Sequence, residues 1–142
     1  RNFSELLLAY LYGFSWRNIT GVDLYSEFPK VRVGRVEDLP FPKGVFDVVI
    51  CSGVLGYVAR REDAMRSIVS VVRPGGLVVL ETNLTVRGPI AEYSLTGGAN
   101  IDDMIALVAN RIQQVTHRED IPGPSGSAIL QFAAFECRDQ PC

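Results

Sequence analysis

The chain has 142 residues, of which 47% are hydrophobic and 21% charged, a composition typical of one globular domain and not of a disordered segment. The chain has fourteen Lys and Arg residues and sixteen Asp and Glu residues, spread along its length, and its formal net charge is -2. This balance predicts no basic surface for bulk nucleic acid, and no uncharged run reaches the roughly 20 residues of a membrane-spanning helix.

The first forty residues predict one helix and two strands. Leucines and tyrosines among good helix formers favour a helix over residues 3–12, with Asn2 as its N-cap. Runs rich in β-branched residues favour strands over 19–23 and 31–36. Two prolines and a glycine then predict a loop over 39–44.

The rest of the chain continues this alternation. Apolar runs predict strands over 46–51, 77–81, 112–116 and 128–137, with a loop over 121–127 before the last strand. Helical spacing of apolar residues predicts helices over 62–72 and 101–110, the second introduced by Asn100 or Asp102. Such a pattern is typical of a doubly wound α/β domain, with a mainly parallel sheet and a less regular tail.

The residues that directly follow the strands are the candidate ligand-binding residues. Ligands of open parallel sheets bind beyond the carboxyl ends of the strands, which here means Asp23, residues 35–37 and residues 51–53. An acid at such a position accepts hydrogen bonds from both hydroxyls of a nucleoside ribose. Asp23 is equally compatible with capping the segment that follows it, and its position alone favours neither interpretation.

Three segments in this order resemble a known family. They read ITGVDL from Ile19, VEDLPFPKGVFDVVICSGVLGYV from Val36 and VVRPGGLVVLE from Val71. Together they are similar to the class I S-adenosylmethionine-dependent methyltransferases of the group called type 11, and RNFSELLLAYLYGF at the start looks like a smaller branch of that group. The resemblance implies a Rossmann-like fold, methyl transfer and S-adenosyl-L-methionine as cofactor.

The resemblance also implies roles for residues at two of the strand ends. Asp23 would bind the ribose of the cofactor, and Leu24 would pack on its adenine. Cys51 and Ser52 would face the methionine end of the cofactor, and residues 53–57 would line the entrance for the methyl acceptor.

The segment after the second predicted strand departs from the family pattern. Arg35 stands where members usually have an acid that meets the adenine amine, and Val36 would offer its backbone groups to the adenine edge. Glu37 or Asp38 could take the place of the acid, or main-chain groups alone could read the ring. Arg35 also keeps open an alternative function, that of a non-catalytic partner or regulatory domain.

The family fold has seven strands, whereas this sequence predicts six. By the resemblance the seventh would precede Arg1 and would lie between the strands that end at Asp23 and Cys51. We therefore expect the 142 residues to form one methyltransferase-like domain that lacks its first strand and is incomplete at the amino terminus. Unpaired strand edges on both sides of the gap would make the chain unstable or poorly soluble.

The cysteines predict a reducing compartment. Cys51, Cys137 and Cys142 cannot all pair within one chain, and no cluster around them has metal-ligand spacing. The sequence thus favours a cytoplasmic protein without a metal site. Cys51 ends an apolar run, so we interpret it as a packing residue or a cofactor contact and not as a nucleophile.

The sequence identifies neither a catalytic residue nor the acceptor. The groups that could remove a proton are Tyr57, Glu92, Tyr93 and His117, and nothing in the sequence favours one of them. A small metabolite, a sugar of a surface polysaccharide or a lipid would all be compatible acceptors, and the oligomeric state is open. A nicotinamide oxidoreductase is an alternative, because its fold also combines a glycine-rich turn with an acidic residue that binds the ribose. The order of the segments LPFP, FDVV and RPGG argues against this alternative.

Overall fold

The computed structural model describes residues 4–85, 99–123 and 128–138. Its elements, in chain order, are α1 (Ser4–Leu11), β1 (Gly21–Asp23), β2 (Val31–Val33), β3 (Phe46–Ser52), α2 (Arg61–Val71), β4 (Val72–Thr85), α3 (Ile101–Ala106), β5 (Ile112–Pro122) and β6 (Ala128–Cys137), with short 3-10 turns at Trp16–Asn18, Leu55–Tyr57 and Ala109–Arg111. The predicted α/β class is confirmed. Asn2, the predicted N-cap of the first helix, lies outside the described residues.

The strands of the described residues form two sheets. β1 and β2 pair in parallel, and a four-stranded sheet has the order β3-β4-β6-β5. β3 and β4 are parallel, whereas β6 runs antiparallel to both of its neighbours, so this sheet is mixed. Within the described residues no ladder joins β1 to β3. The further strand expected between them stays a prediction, as does the poor solubility of the chain.

The main core lies between the four-stranded sheet and two helices. Alternate residues of β4 are fully buried on the face that α2 and α3 cover, because successive side chains of a strand point to opposite faces. Met65 of α2 and Ile101 of α3 pack there against Val78, Leu80 and Phe135. On the opposite face of the same strands, Ile50 remains 47% exposed.

A second, smaller cluster joins α1 to the two-stranded sheet. Ile19 and Val31 are buried there, with Ala9 of α1 and Trp16 packed against them. The segment after β2 attaches this part to the main core, because the amide of Leu39 donates a hydrogen bond of 2.9 Å to Ser67 Oγ in α2.

Several element ends differ from the sequence prediction. The strand predicted over 77–81 extends to Val72–Thr85, because Val72 pairs with Phe46 of β3 and residues 82–85 pair with β6. The strand predicted over 112–116 extends to Ile112–Pro122, because it finds backbone partners along β6 despite its polar residues. The loop predicted over 121–127 therefore begins inside β5.

Other elements are shorter than predicted, among them the strand expected over 19–23, which is Gly21–Asp23. The strand expected over 31–36 ends at Val33, since a bridge between Arg35 and Asp38 turns the chain back. The helix expected over 101–110 begins at the Asn100 cap and ends at Ala106, where the amide of Val108 bonds to the carbonyl of Ile105 in a tighter turn.

Candidate active site

The end of β1 presents a carboxylate and an apolar side chain to solvent. Asp23 is exposed, and its Oδ1 accepts a long hydrogen bond of 3.4 Å from the amide of Tyr25, the local contact that a capping role predicts. Leu24 beside it is 67% exposed. The carbonyl of Asp23 accepts a bond of 2.9 Å from the amide of Gly34, which ties the ends of β1 and β2 together.

The segment after β2 contains an ion pair. Arg35 Nη2 lies 2.8 Å from Glu37 Oε1, and the two side chains are 63% and 5% exposed. The hydrogen bond from Arg35 holds the pKa of the Glu37 carboxyl below its usual range, against the opposing effect of burial. The cation that departs from the family pattern therefore positions the neighbouring acid, while Val36 between them packs against the main core.

The two predicted residues at the end of β3 point to opposite faces of the sheet. Cys51 lies in the main core, 7% exposed, and burial raises the pKa of its thiol to about 12. This agrees with its interpretation as a packing residue, and its side chain faces the helices. Ser52 lies on the opposite face, where its hydroxyl donates a hydrogen bond to Glu81 Oε2.

Glu81 is the residue that the sequence analysis missed. It is the register partner of Ser52 in β4, and its carbonyl also accepts a bond of 3.1 Å from the amide of Gly53. The sequence does contain a signal for Glu81 as a candidate ligand-binding residue, because Glu81 ends the apolar run of β4 in the same way that Asp23 ends β1. Its pairing with Ser52 depends on sheet register and is not readable from the sequence.

The predicted entrance segment forms a turn after β3. Gly53 has φ +64°, in the region that glycine adopts without a steric penalty, and no heavy atom lies within 4 Å of where a Cβ would be. Leu55 is fully buried and anchors the turn, whereas Val54 and Tyr57 are 41% and 61% exposed. Within the described residues no hydrogen bond joins this turn to Asp23.

Other predicted assignments are also resolved. Phe41 and Phe46 form an edge-to-face pair with centroids 4.8 Å apart, so the two rings pack against each other. His117 is an exposed imidazole whose Nε2 lies 3.2 Å from Glu119 Oε2. Tyr93 and Glu92, two of the four candidate bases, lie outside the described residues.

A family model described as a methyltransferase domain matches residues 4–80, which is more than half of the chain. The chain belongs to this family. The family assignment from the sequence, class I S-adenosylmethionine-dependent methyltransferases of type 11, is thereby confirmed.

Two curated relatives of this methyltransferase-family chain are ubiquinone/menaquinone biosynthesis C-methyltransferases. The protein of Vibrio campbellii is 38% identical over 78 residues, covering 54% of this chain and 30% of the relative. The protein of Salmonella paratyphi B is 33% identical over 112 residues, covering 74% and 45%. The chain thus spans less than half the length of either relative.

Solved structures agree on the fold. The 1,6-didemethyltoxoflavin-N1-methyltransferase of Burkholderia thailandensis, with its substrate and S-adenosylhomocysteine bound, aligns with a TM-score of 0.67 at 14% identity. The alignment covers 93% of this chain and 66% of that one. At this identity the likeness establishes the Rossmann-like methyltransferase fold.

In the described residues no helix has the length and apolar character needed to cross a bilayer. In the same residues no three His, Cys, Asp or Glu side chains are grouped so as to hold a metal ion.

Proposed function

We propose that this protein transfers a methyl group from S-adenosyl-L-methionine to a small-molecule acceptor. The observation that carries the proposal is the exposed carboxylate of Asp23 at the end of β1, within a chain that belongs to the methyltransferase family. The two curated relatives and the aligned structure, whose printed names are those of methyltransferases, support the reaction.

The residues at the strand ends fit the chemistry of the cofactor. Asp23 has carboxylate acceptor capacity beyond its one long bond to Tyr25, which suits the two ribose hydroxyls. The exposed side chain of Leu24 suits an adenine face, and the open space beside Gly53 next to Ser52 leaves room for the methionine end. Arg35 and Glu37 suit the adenine edge only as a pair, because the guanidinium is bonded to the carboxylate.

The cofactor, when bound, supplies a methyl group that its sulfonium has already activated, and the displaced bonding electrons stay on sulfur. The protein's own residues therefore have two tasks: to hold the acceptor in line with that methyl group and to exclude water. In this proposal Tyr57 and Val54 border the acceptor, and their exposure on the turn after β3 supports that role.

A thermal-shift measurement with S-adenosylhomocysteine tests the proposal. At a ligand concentration near 100 times Kd, binding stabilises the fold by about 2.7 kcal/mol, or roughly 5 to 11 °C for a domain of this size. We expect Asp23→Ala to lose this shift. Asp63→Ala, which removes an exposed carboxylate from the first turn of α2, is the matched control and should keep it.

A well-folded chain that shows no shift with either S-adenosylmethionine or S-adenosylhomocysteine would contradict the proposal and support a non-catalytic domain. A thermal shift that persists in Asp23→Ala would support cofactor binding but contradict the role proposed for Asp23.

A further inference from the structure

The face of the four-stranded sheet opposite to the helices carries a shallow groove of about 230 Å³. His117 and Glu119 line it from alternate positions of β5, so their side chains point to the same face of that strand. The register places His117 beside Ala134 and Glu119 beside Phe132 in β6. Because side chains at paired positions share a face, the imidazole and the carboxylate stand next to the apolar residues of the neighbouring strand.

Most of the groove surface is apolar. Val79 of β4 and its register partner Ala134 line it together with Phe132 and Ile121. Ile121 is 43% exposed, and Val79 and Phe132 are half-buried, so water reaches these three side chains. An apolar cavity of about 150 Å³ is enough to hold benzene, so this groove has room for one substituted ring, which would remove apolar surface from water.

The charged groups on this face are carboxylates, apart from one imidazole. At the paired positions that share the face with the groove, the described residues include no Lys or Arg, and the titratable ones are Glu81, Glu119, Glu136 and His117. Glu81 accepts a hydrogen bond from Ser52, and Glu136 accepts one from Gln114, both of which are uncharged donors. The face therefore has an excess of negative charge around an apolar groove, and such a surface attracts cations.

The Glu119 carboxylate has one oxygen open to a ligand. Its Oε2 lies 3.2 Å from Nε2 of His117, and among the described residues no other side chain donates to this carboxylate. The Glu119 side chain is 53% exposed. Its Oε1 can therefore accept a hydrogen bond from a molecule in the groove, and a bond between an ammonium and a carboxylate is about twice as strong as one between neutral groups.

We propose that this groove is a binding site for a small organic cation that has an ammonium group on an apolar, ring-sized body. The ammonium donates to Oε1 of Glu119, and the ring lies over Val79, Phe132 and Ala134. The inference does not depend on the proposed function, because the residues that line the groove are not assigned to the cofactor.

Three probes that share a ring and differ in charge test this assignment. Benzylamine is a cation at neutral pH, benzyl alcohol is neutral and benzoate is an anion, and their dissociation constants are measured by NMR titration at low ionic strength. We expect the amine to bind about two- to fivefold more tightly than the alcohol, as an exposed ion pair allows, and benzoate to bind more weakly than the alcohol. The amine should also shift the assigned methyl resonances of Val79, Ile121 and Ala134, which would locate the ring in the groove.

Glu119→Gln retains the size of the side chain and a neutral acceptor but removes the charge, so the preference for the amine over the alcohol should disappear while the alcohol still binds. The wild-type side chain is exposed, so we expect this variant to fold. Glu136→Gln is the matched control, because Glu136 shares the face but does not line the groove. It should leave the preference for the amine unchanged.

Four results would overturn the inference: an amine that binds no more tightly than the alcohol, a preference that persists in Glu119→Gln, a preference that is lost in Glu136→Gln, or methyl shifts confined to residues outside the groove. None of these results bears on the proposed function, which the thermal shift with S-adenosylhomocysteine tests separately.

Discussion

Arg35 and Glu37 form an ion pair in which an exposed guanidinium holds a nearly buried carboxylate, with Nη2 and Oε1 separated by 2.8 Å. The two residues flank Val36 directly after β2. The pair explains how a cation is accommodated where family members usually have an acid, because the acid stands two positions later.

Removing the cation should destabilise the fold. Arg35→Met leaves the Glu37 carboxylate with little water and no guanidinium, so we expect the free energy of unfolding at neutral pH to fall by about 1–3 kcal/mol. Chemical denaturation in urea measures this. The matched control is Arg66→Met, whose partner Glu62 is 55% exposed, and its effect should stay below about 0.5 kcal/mol.

The same pair predicts a dependence on pH. The pKa of Glu37 lies below its ordinary value of 4.5 in the folded chain, so the pair stabilises the fold above that pH. The contribution is lost as the pH falls through the lowered pKa. The stability difference between the wild-type chain and Arg35→Met should therefore shrink on acidification, and a difference that grew would contradict the pairing.

Gly76→Ala should be poorly tolerated. A Cβ at Gly76 would lie 2.6 Å from Val72 Cγ1 and 2.9 Å from the carbonyl oxygens of Arg73 and Asp47. Because backbone atoms cannot move aside cheaply, we expect a loss of about 1–3 kcal/mol in thermal or urea unfolding. Gly56→Ala, with open space at its Cβ position, should change stability by less than about 1 kcal/mol.

Arg118 joins α3 to the sheet. Its guanidinium donates to both carboxylate oxygens of Asp102, at 2.8 and 2.9 Å, and also pairs with Asp120. Lysine is a point donor and cannot reproduce the two parallel bonds. Arg118→Lys should therefore speed hydrogen exchange of α3 amides by about two- to fivefold, while global stability falls by less than about 1 kcal/mol because the partners are exposed.

Cys51 should resist alkylation in the folded chain. With its pKa at about 12 and its side chain in the main core, little thiolate forms near neutral pH and reagents have no access. Peptide mapping after iodoacetamide treatment should find Cys51 modified at least about 100-fold more slowly than in denaturing urea. Rapid modification of the native chain would place the thiol outside the core.

The sequence alone was sufficient for the family, the α/β class and the position of every described strand. These depend on local information: apolar runs, prolines and glycines at turns, and short motifs that follow one another in a particular order along the chain. Asn100 is an example, since its side chain can only cap the helix that directly follows it, and its Oδ1 accepts from the amide of Asp102 at 2.9 Å.

Only the tertiary structure decided which of the side chains at the strand ends act together. Ser52 and Glu81 are 29 residues apart, and their hydrogen bond exists because β3 and β4 pair in one particular register. The same register turns Cys51 into the core and Ser52 away from it. A shift by one residue would exchange those faces, and since the register depends on burial over the whole sheet, no local pattern determines it.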